Sequence, residues 1–324
     1  MEKLNVRQSY YLGVDVGATK VSIGAFLTNG KLLSMEVYPT LRATKDEAVA
    51  CLLFATEHFL NKHKDLGRLI IIGVGIRGYV DSERGIWVHS SIIPGFQPVK
   101  LAALFCEQFH VPTIIDNDVH AATLAELYFG VGRKYRDFIY VNVGSGIAAG
   151  LICNGKLVRG CSNFAGEFGY HRVFCDDSTD ISKYEGCIED EISGLGVVNQ
   201  IKHLLPEYPK SCLRNCEGTM TGQTVMKAYE QRDPLAEAVI SRGILHLTVA
   251  LHNLIGLLNP SAIVLSGGII RCNRFFEAVK DSVERNRLSI PAMELKEFCR
   301  SSSDPEEVGA RGAACVAMDW HYRQ

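Results

Sequence analysis

The segment Asn117-Asp118-Val119-His120-Ala121-Ala122 places a carboxylate where an apolar run, residues 111–115, gives way to a helix-forming stretch. A carboxylate presented at such an edge can take the proton from a substrate hydroxyl. Two glycine-containing turns follow apolar strands elsewhere, at Asp15-Val16-Gly17-Ala18-Thr19-Lys20 and at Asn142-Val143-Gly144-Ser145-Gly146. Each can direct backbone N–H groups at phosphate. The combination of one base and two such turns implies phosphoryl transfer to a hydroxyl. Each piece also has a plainer reading, because an Asp before a helix is often its cap and a glycine turn often joins a hairpin.

The elements that must hold these residues are read from periodicity. Residues 11–16 and 21–27 are β-prone, Gly30 marks a turn, and 31–38 continues an antiparallel meander. Apolar residues at Val49, Leu52, Leu53, Ala55 and Phe59 or Leu60 predict an amphipathic helix over 46–63. Residues 69–74 form a continuous apolar strand, Gly78 and Gly85 bracket a loop, 101–109 is helical, and 111–115 returns to the sheet. After Asp118 a helix runs to about Phe129. A second strand-rich set follows at 137–143 and 148–153, with an Asn154-Gly155 turn before 156–158. Both sets open as strand, short glycine turn and strand, the pattern of a duplicated nucleotide-binding domain. Further on, 234–258 reads as one long helix feeding a strand at 262–265 that stops at Ser266-Gly267-Gly268, and 309–320 as a final helix whose small residues permit close packing.

Composition narrows the class. With 324 residues, 47% hydrophobic and 22% charged, the chain can bury a large core and is expected to divide into two domains. A formal net charge of −2 supplies no positive excess for a polyanion, so nucleic acid is not an expected partner. No uninterrupted apolar run approaches the roughly 18 residues that cross a bilayer, and the opening residues lack the apolar core of a signal peptide. No membrane partner and a cytoplasmic location are expected. The eleven cysteines follow no framework spacing and read as reduced thiols.

Taken in order, the motifs resemble the ROK family of bacterial sugar kinases and sugar-responsive repressors, within the actin-like ATPase (ribonuclease H-like) fold. The resemblance is collinear from Tyr11 to Ala317. It runs through Gly13-Val14-Asp15-Val16-Gly17-Ala18-Thr19-Lys20, Gly75-Ile76-Arg77-Gly78-Tyr79-Val80-Asp81, Ile93-Pro94-Gly95-Phe96, the 117–122 segment, Gly144-Ser145-Gly146-Ile147, Ala165-Gly166-Glu167-Phe168-Gly169, Gly186-Cys187-Ile188-Glu189 and Ser266-Gly267-Gly268. It implies an α/β chain of two domains, each a mixed sheet flanked by helices, with a cleft between them. The smaller domain would span 1–119 with helix 308–324 packing back on it, and the larger 120–307. A hinge near 117–119 would let the two lobes close over the substrates and exclude water.

The resemblance also assigns roles. Asp118 would be the general base; Asn117, Glu167, Tyr170, Glu189 and Gly78 would face a hexose. Gly17, Ala18, Thr19, Lys20, Gly144, Ser145 and Gly146 would hold ATP phosphates, and Gly267 and Gly268 would lie near the adenosine. Asp15 would hold Mg²⁺ through water. The implied activity is ATP-dependent transfer to a hexose hydroxyl, the 6-OH, with glucose or a related hexose as substrate. An N-acetylmannosamine or other N-acetylhexosamine kinase is the alternative. A weakly catalytic sugar sensor lacking a DNA-binding domain is the alternative of another class, since only ten residues precede Tyr11. A homodimer is expected on the same grounds.

The departures bear on substrate and metal. Family members usually read Glu-x-Gly-His where this chain has Glu167-Phe168-Gly169-Tyr170, with His171 displaced by one. They then carry Cys-x-Cys-Gly-x-x-Gly-Cys, and ungapped counting to Cys187 puts Asp180, Ser182 and Cys187 at the remaining zinc positions. One thiolate is too few for a structural zinc site, so no zinc is expected. His171, Cys175 and Cys187, or Cys212 with Cys216, have no recognised zinc spacing. Some zinc-free N-acetylmannosamine kinases of the family similarly have Tyr at position 170. Ile92, Ala148-Ala149, Arg77 and Tyr79 also depart from the usual residues near the sugar loop and second phosphate turn.

Overall fold

A computed structural model describes residues 8–17, 19–40, 44–90, 92–174, 186–216, 218–287, 289–304 and 306–324. They gather into two compact units. The first comprises Met1–Arg133, Leu157–Ala165 and Ser302–Gln324, and the second Lys134–Lys156 and Gly166–Ser301.

The first unit begins with the expected meander: β1 (Ser9–Val16), β2 (Lys20–Phe26) and β3 (Leu32–Pro39), antiparallel throughout. Helix α1 (Lys45–Lys62) is capped by Thr44, whose hydroxyl accepts from the Glu47 N–H, and buries Val49, Leu52, Ala55 and Phe59. Next come β4 (Arg68–Ile76), β5 (Tyr79–Asp81) and β6 (Ile86–His89). The stretch between Gly78 and Gly85, expected to be a loop, opens with β5, too short for a period to register, and continues as the turn that leads into its hairpin partner β6. Helix α2 (Leu101–Phe109) leads to β7 (Thr113–Asn117), and α3 (Asp118–Phe129) starts at the very next residue. The sheet order is β3-β2-β1-β4-β7, with β1, β4 and β7 parallel. Leu12, Val14, Ile72, Val74 and Ile115 are fully buried, as strands covered on both faces require.

The second unit repeats the plan. Strands β8 (Phe138–Val143), β9 (Ile147–Cys153) and β10 (Lys156–Leu157) form its meander side. Helices α4 (Ile188–Ile192), α5 (Gly194–Leu204), α6 (Gly222–Glu230) and α7 (Pro234–Leu258) then precede β11 (Ala262–Ser266), α8 (Asn273–Arg285), α9 (Ile290–Met293) and β12 (Glu297–Arg300). The order β10-β9-β8-β11-β12, with β8, β11 and β12 parallel, matches that of the first sheet. Helix α7 starts at Pro234 behind an Asp233 cap and ends on left-handed Asn259. By length and composition it could span a bilayer, yet Leu247, Ala250, Leu251 and Ile255 on it belong to the core of this unit.

The chain finally returns to the first unit as α10 (Val308–Tyr322), which lies against β1, β4 and α3. The units therefore do not divide at Val119, where the sequence set its boundary. Packing against α10 keeps α3 in the first unit, whose first segment runs to Arg133. The segment Leu157–Ala165 joins the same unit through side-chain bonds that no local pattern announces.

Candidate active site

In the first unit, β1, β4 and β7 run parallel and end level with one another, Val16 beside Ile76 and Ile76 beside Asn117. The carboxyl ends of parallel strands are where α/β sheets present ligands with donors and charges. Asp15, Arg77, Asn117 and Asp118 all belong to this edge.

The Asn117 side chain is the helix cap: its Oδ1 accepts from the N–H groups of Val119 at 2.8 Å and His120 at 3.3 Å. Its Nδ2 donates to the Gly78 carbonyl at 3.1 Å. Asn117 was expected to face the sugar; its oxygen is committed to α3 and one N–H to Gly78. Gly78 has φ +125°, and a Cβ there would come within 2.4 Å of the His89 carbonyl oxygen, so only glycine fits.

With Asn117 serving as cap, Asp118 needs to make only one bond to the helix, from the Val119 N–H to its Oδ1 at 3.0 Å. Asp118 retains some accessible surface. Burial raises its pKa, against the opposing pull of Arg77 and the Val119 amide. Asp15 is pushed up to about 7, first by burial and then by the charge of Asp118, with Lys20 pulling the other way. The Asp15 carboxylate also abuts the start of α10, where a Cβ on Gly309 would lie 2.1 Å from its Oδ2. Two neighbouring carboxylates with raised pKa values form an oxygen-donor set suited to a hard divalent cation. The first glycine turn is closed by the Gly17 N–H on the Lys20 carbonyl at 3.0 Å, with Thr19 and Lys20 exposed. Ala18 lies outside the described residues.

Behind this edge is a group of residues that the sequence reading missed. Asp116 is fully buried and accepts from the Asn117 N–H, His120 Nδ1, Asn163 Nδ2, and Nε and Nη2 of Arg159. Against the cost of burial, His120, Arg159 and Asn163 hold its pKa down to about 2. His120 bonds Asp116 through Nδ1 and the Ala165 carbonyl through Nε2, and although burial opposes its charge, these partners raise its pKa. The network fixes the residues on both sides of Asn117. A lone Asp closing an apolar strand was the available signal, but its partners at 159 and 163 are remote in sequence.

In the second unit the turn at 144–146 follows β8. The Gly144 N–H bonds the Gly146 carbonyl at 2.9 Å. The Gly144 and Ser145 carbonyls accept from the Gly194 and Leu195 N–H groups at the start of α5, at 2.8 and 3.2 Å. This leaves the N–H groups of Ser145 and Gly146 without a partner among the described residues. Such a pair of pre-aimed donors suits a phosphate oxygen. Gly267 is brought to this turn: it has φ +104°, and a Cβ there would sit 2.3 Å from the Val143 carbonyl oxygen. A Cβ on Gly268 would meet nothing within 4 Å, so the chain is open on that side.

Glu167 is exposed and precedes a single 3₁₀ turn, Phe168–Tyr170, in which Tyr170 is 45% exposed. Glu189 bonds the Ile147 N–H through Oε2 at 2.7 Å, placing it beside both this 3₁₀ turn and the 144–146 turn. His171 bonds Asn253, and the buried Cys187 thiol donates to the Tyr170 carbonyl at 3.5 Å. Cys175, Asp180 and Ser182 lie outside the described residues, among which no cluster of three or more His, Cys, Asp or Glu side chains suits a metal ion.

The two edges carry, on separate sheets of the same order, Asp15, Asn117 and Asp118 on one and the 144–146 turn with Gly267 on the other. Residues 11–319 match the ROK family. The chain belongs to the ROK family. A glucokinase of Halalkalibacterium halodurans is 28% identical over 269 residues, 80% of each chain. An N-acetyl-D-glucosamine kinase of Yersinia enterocolitica is 27% identical over 320 residues, 95% of this chain and 99% of its own. Among solved structures, a ROK family glucokinase from Streptomyces griseus, determined with glucose and AMPPNP, superimposes with a TM-score of 0.77 at 25% identity, over 96% of this chain and 99% of that one. Membership places the protein among the ROK sugar kinases, and the fold is the expected actin-like ATPase fold with its mixed, helix-flanked sheets.

Proposed function

We propose that this ROK protein transfers the γ-phosphoryl group of ATP to the 6-OH of glucose or a related hexose, with Asp118 as general base. The observation that carries the proposal is the division of labour at the β7–α3 junction. Asn117 caps the helix, and the neighbouring carboxylate, its pKa raised by burial, is left to act on a substrate. A base whose pKa lies closer to the working pH is better matched to a hydroxyl proton that is transferred as the bond to phosphorus forms. The N–H groups of Ser145 and Gly146 bind phosphate oxygens, the turn at 17–20 does the same on the other sheet, and Gly267 and Gly268 admit the adenosine. Mg²⁺ fits Asp15, through water, and when bound it would neutralise charge on the phosphate oxygens.

Glu167, Tyr170 and Glu189 contact the sugar. A second reading, an N-acetylhexosamine kinase, draws on the Tyr at position 170, where some N-acetylmannosamine kinases of the family also have Tyr, and on the near-complete span of the Yersinia relative. A cytoplasmic homodimer is proposed on family resemblance alone. The deciding experiment is an ADP-release assay over a panel of hexoses and N-acetylhexosamines, with Asp118→Asn in parallel. The expected result is turnover with glucose and a fall of about a thousandfold or more in kcat for the variant. Full turnover by Asp118→Asn would remove the base assignment. Sugar binding without ADP release from the unaltered protein would favour the sensor.

A further inference from the structure

The 144–146 turn is backed by a side chain that the sequence reading assigned to the sugar. Glu189 Oε2 accepts from the Ile147 N–H at 2.7 Å. A Cβ on Gly146 would lie 2.6 Å from that oxygen, and one on Gly169 would lie 3.0 Å from it. The carboxylate is therefore wedged between the glycine turn and the 3₁₀ turn 168–170; it is what a side chain at 146 would meet first, whereas one at 169 would first meet the Ile147 carbonyl oxygen at 2.6 Å. Its second oxygen, Oε1, makes no hydrogen bond among the described residues. The α5 amides described above hold the turn carbonyls, so Glu189 is the only side chain among the described residues that bonds the backbone where the turn enters β9.

We propose that Glu189 is a positioning residue for the phosphate-binding turn as well as a sugar contact, with one oxygen serving each ligand. Oε2 fixes the Ile147 amide and with it the aim of the Ser145 and Gly146 N–H groups; Oε1 accepts a hydroxyl of the acceptor sugar. A carboxylate accepts only and has lone pairs for both bonds at once. A sugar hydroxyl on Oε1 restrains the same side chain that Oε2 uses to hold the turn. The first ligand bound then removes part of the ordering cost of the second, and the two bind with positive coupling.

The inference rests on the ATP-kinase reading, and the test separates the two. ADP binding in the presence of Mg²⁺ is measured by calorimetry with and without glucose or the preferred sugar. In Glu189→Ala, ADP affinity without sugar is expected to fall about tenfold, because a bond to an ionised acceptor and the wedge are both lost. Glu189→Asp keeps the charge but is one methylene short, and is expected to behave like Ala; it also serves if the Ala variant does not fold. Glu189→Gln keeps an oxygen for the Ile147 N–H. It is expected to hold sugar-free ADP affinity within about twofold while losing the gain that sugar confers. Unchanged sugar-free ADP affinity in both the Ala and Asp variants would overturn the proposal and leave Glu189 as a sugar contact alone. Absence of ADP binding by the unaltered protein would instead overturn the kinase reading on which it stands.

Discussion

Asp15 is ill at ease when ionised, since burial and the neighbouring Asp118 carboxylate push its pKa up to about 7. The folded-state pKa lies above the ordinary value of 3.8, so folding takes up a proton between those limits. Stability contributed by the protonated form is complete below about pH 4 and is lost as pH rises through about 7. Without metal or nucleotide, Asp15→Asn is therefore expected to be more stable than the unaltered protein above pH 7, by about 2 kcal/mol after allowance for the water that reaches the carboxyl. The difference should shrink as pH falls and vanish near pH 4, which denaturation midpoints at several pH values would check; a constant gap would mean the charge is not the cause. Asp118 was legible in the sequence because it stands between an apolar run and a helix-forming stretch, and Asp15 through the resemblance of its glycine-turn motif. Which of Asn117 and Asp118 would cap α3 was not legible, since both side chains can do so and only the Gly78 carbonyl, remote in sequence, selects Asn117. Asp116 was overlooked for a related reason: Arg159 and Asn163 lie 43 and 47 residues away along the chain.

At the scale of elements, α10 is the piece that closes the first sheet. Its backbone lies directly on β1 and β4: a Cβ on Gly13 would come within 1.8 Å of the Ala310 carbonyl oxygen, and one on Gly73 within 1.8 Å of that of Ala313. Backbone cannot move aside as a flexible side chain can. Gly73→Ala is accordingly expected to cost about 3 kcal/mol, read as a lower denaturant midpoint. Gly268→Ala provides the contrast, because an added methyl there meets nothing within 4 Å and the backbone is ordinary, so stability should change by less than about 0.5 kcal/mol. Similar losses in both would remove α10 as the explanation. The small residues of 309–314 announced a close approach, but not to which strands. Helices α5, α6 and α8 were not read from the sequence at all, although α8 buries Phe275, Phe276, Val279 and Val283 at the spacing of an amphipathic helix and was legible.

Across the whole molecule, what the sequence shows most clearly is the repetition of a strand, a glycine turn and a strand in two sheets of identical order. The limits of the compact units were beyond its reach, because they follow long-range packing rather than composition. The first unit is assembled from three separate stretches of chain, and the second lies largely between them. Deleting residues 302–324 is expected to strip hydrogen-exchange protection from β1 and β4 while leaving β8 and β11 protected, since α10 covers the former and not the latter. Equal loss in both sheets would mean that the units do not unfold separately. The interleaving also sets a timetable for biosynthesis. The amino-terminal sheet emerges from the ribosome with its glycine-lined surface bare, and its covering helix is translated only after all of β8 to β12. At ordinary elongation rates that interval is on the order of tens of seconds. The nascent chain must pass it with an unsealed apolar face, so the later-made half is the first that can finish folding, and the early half is the natural client of a chaperone.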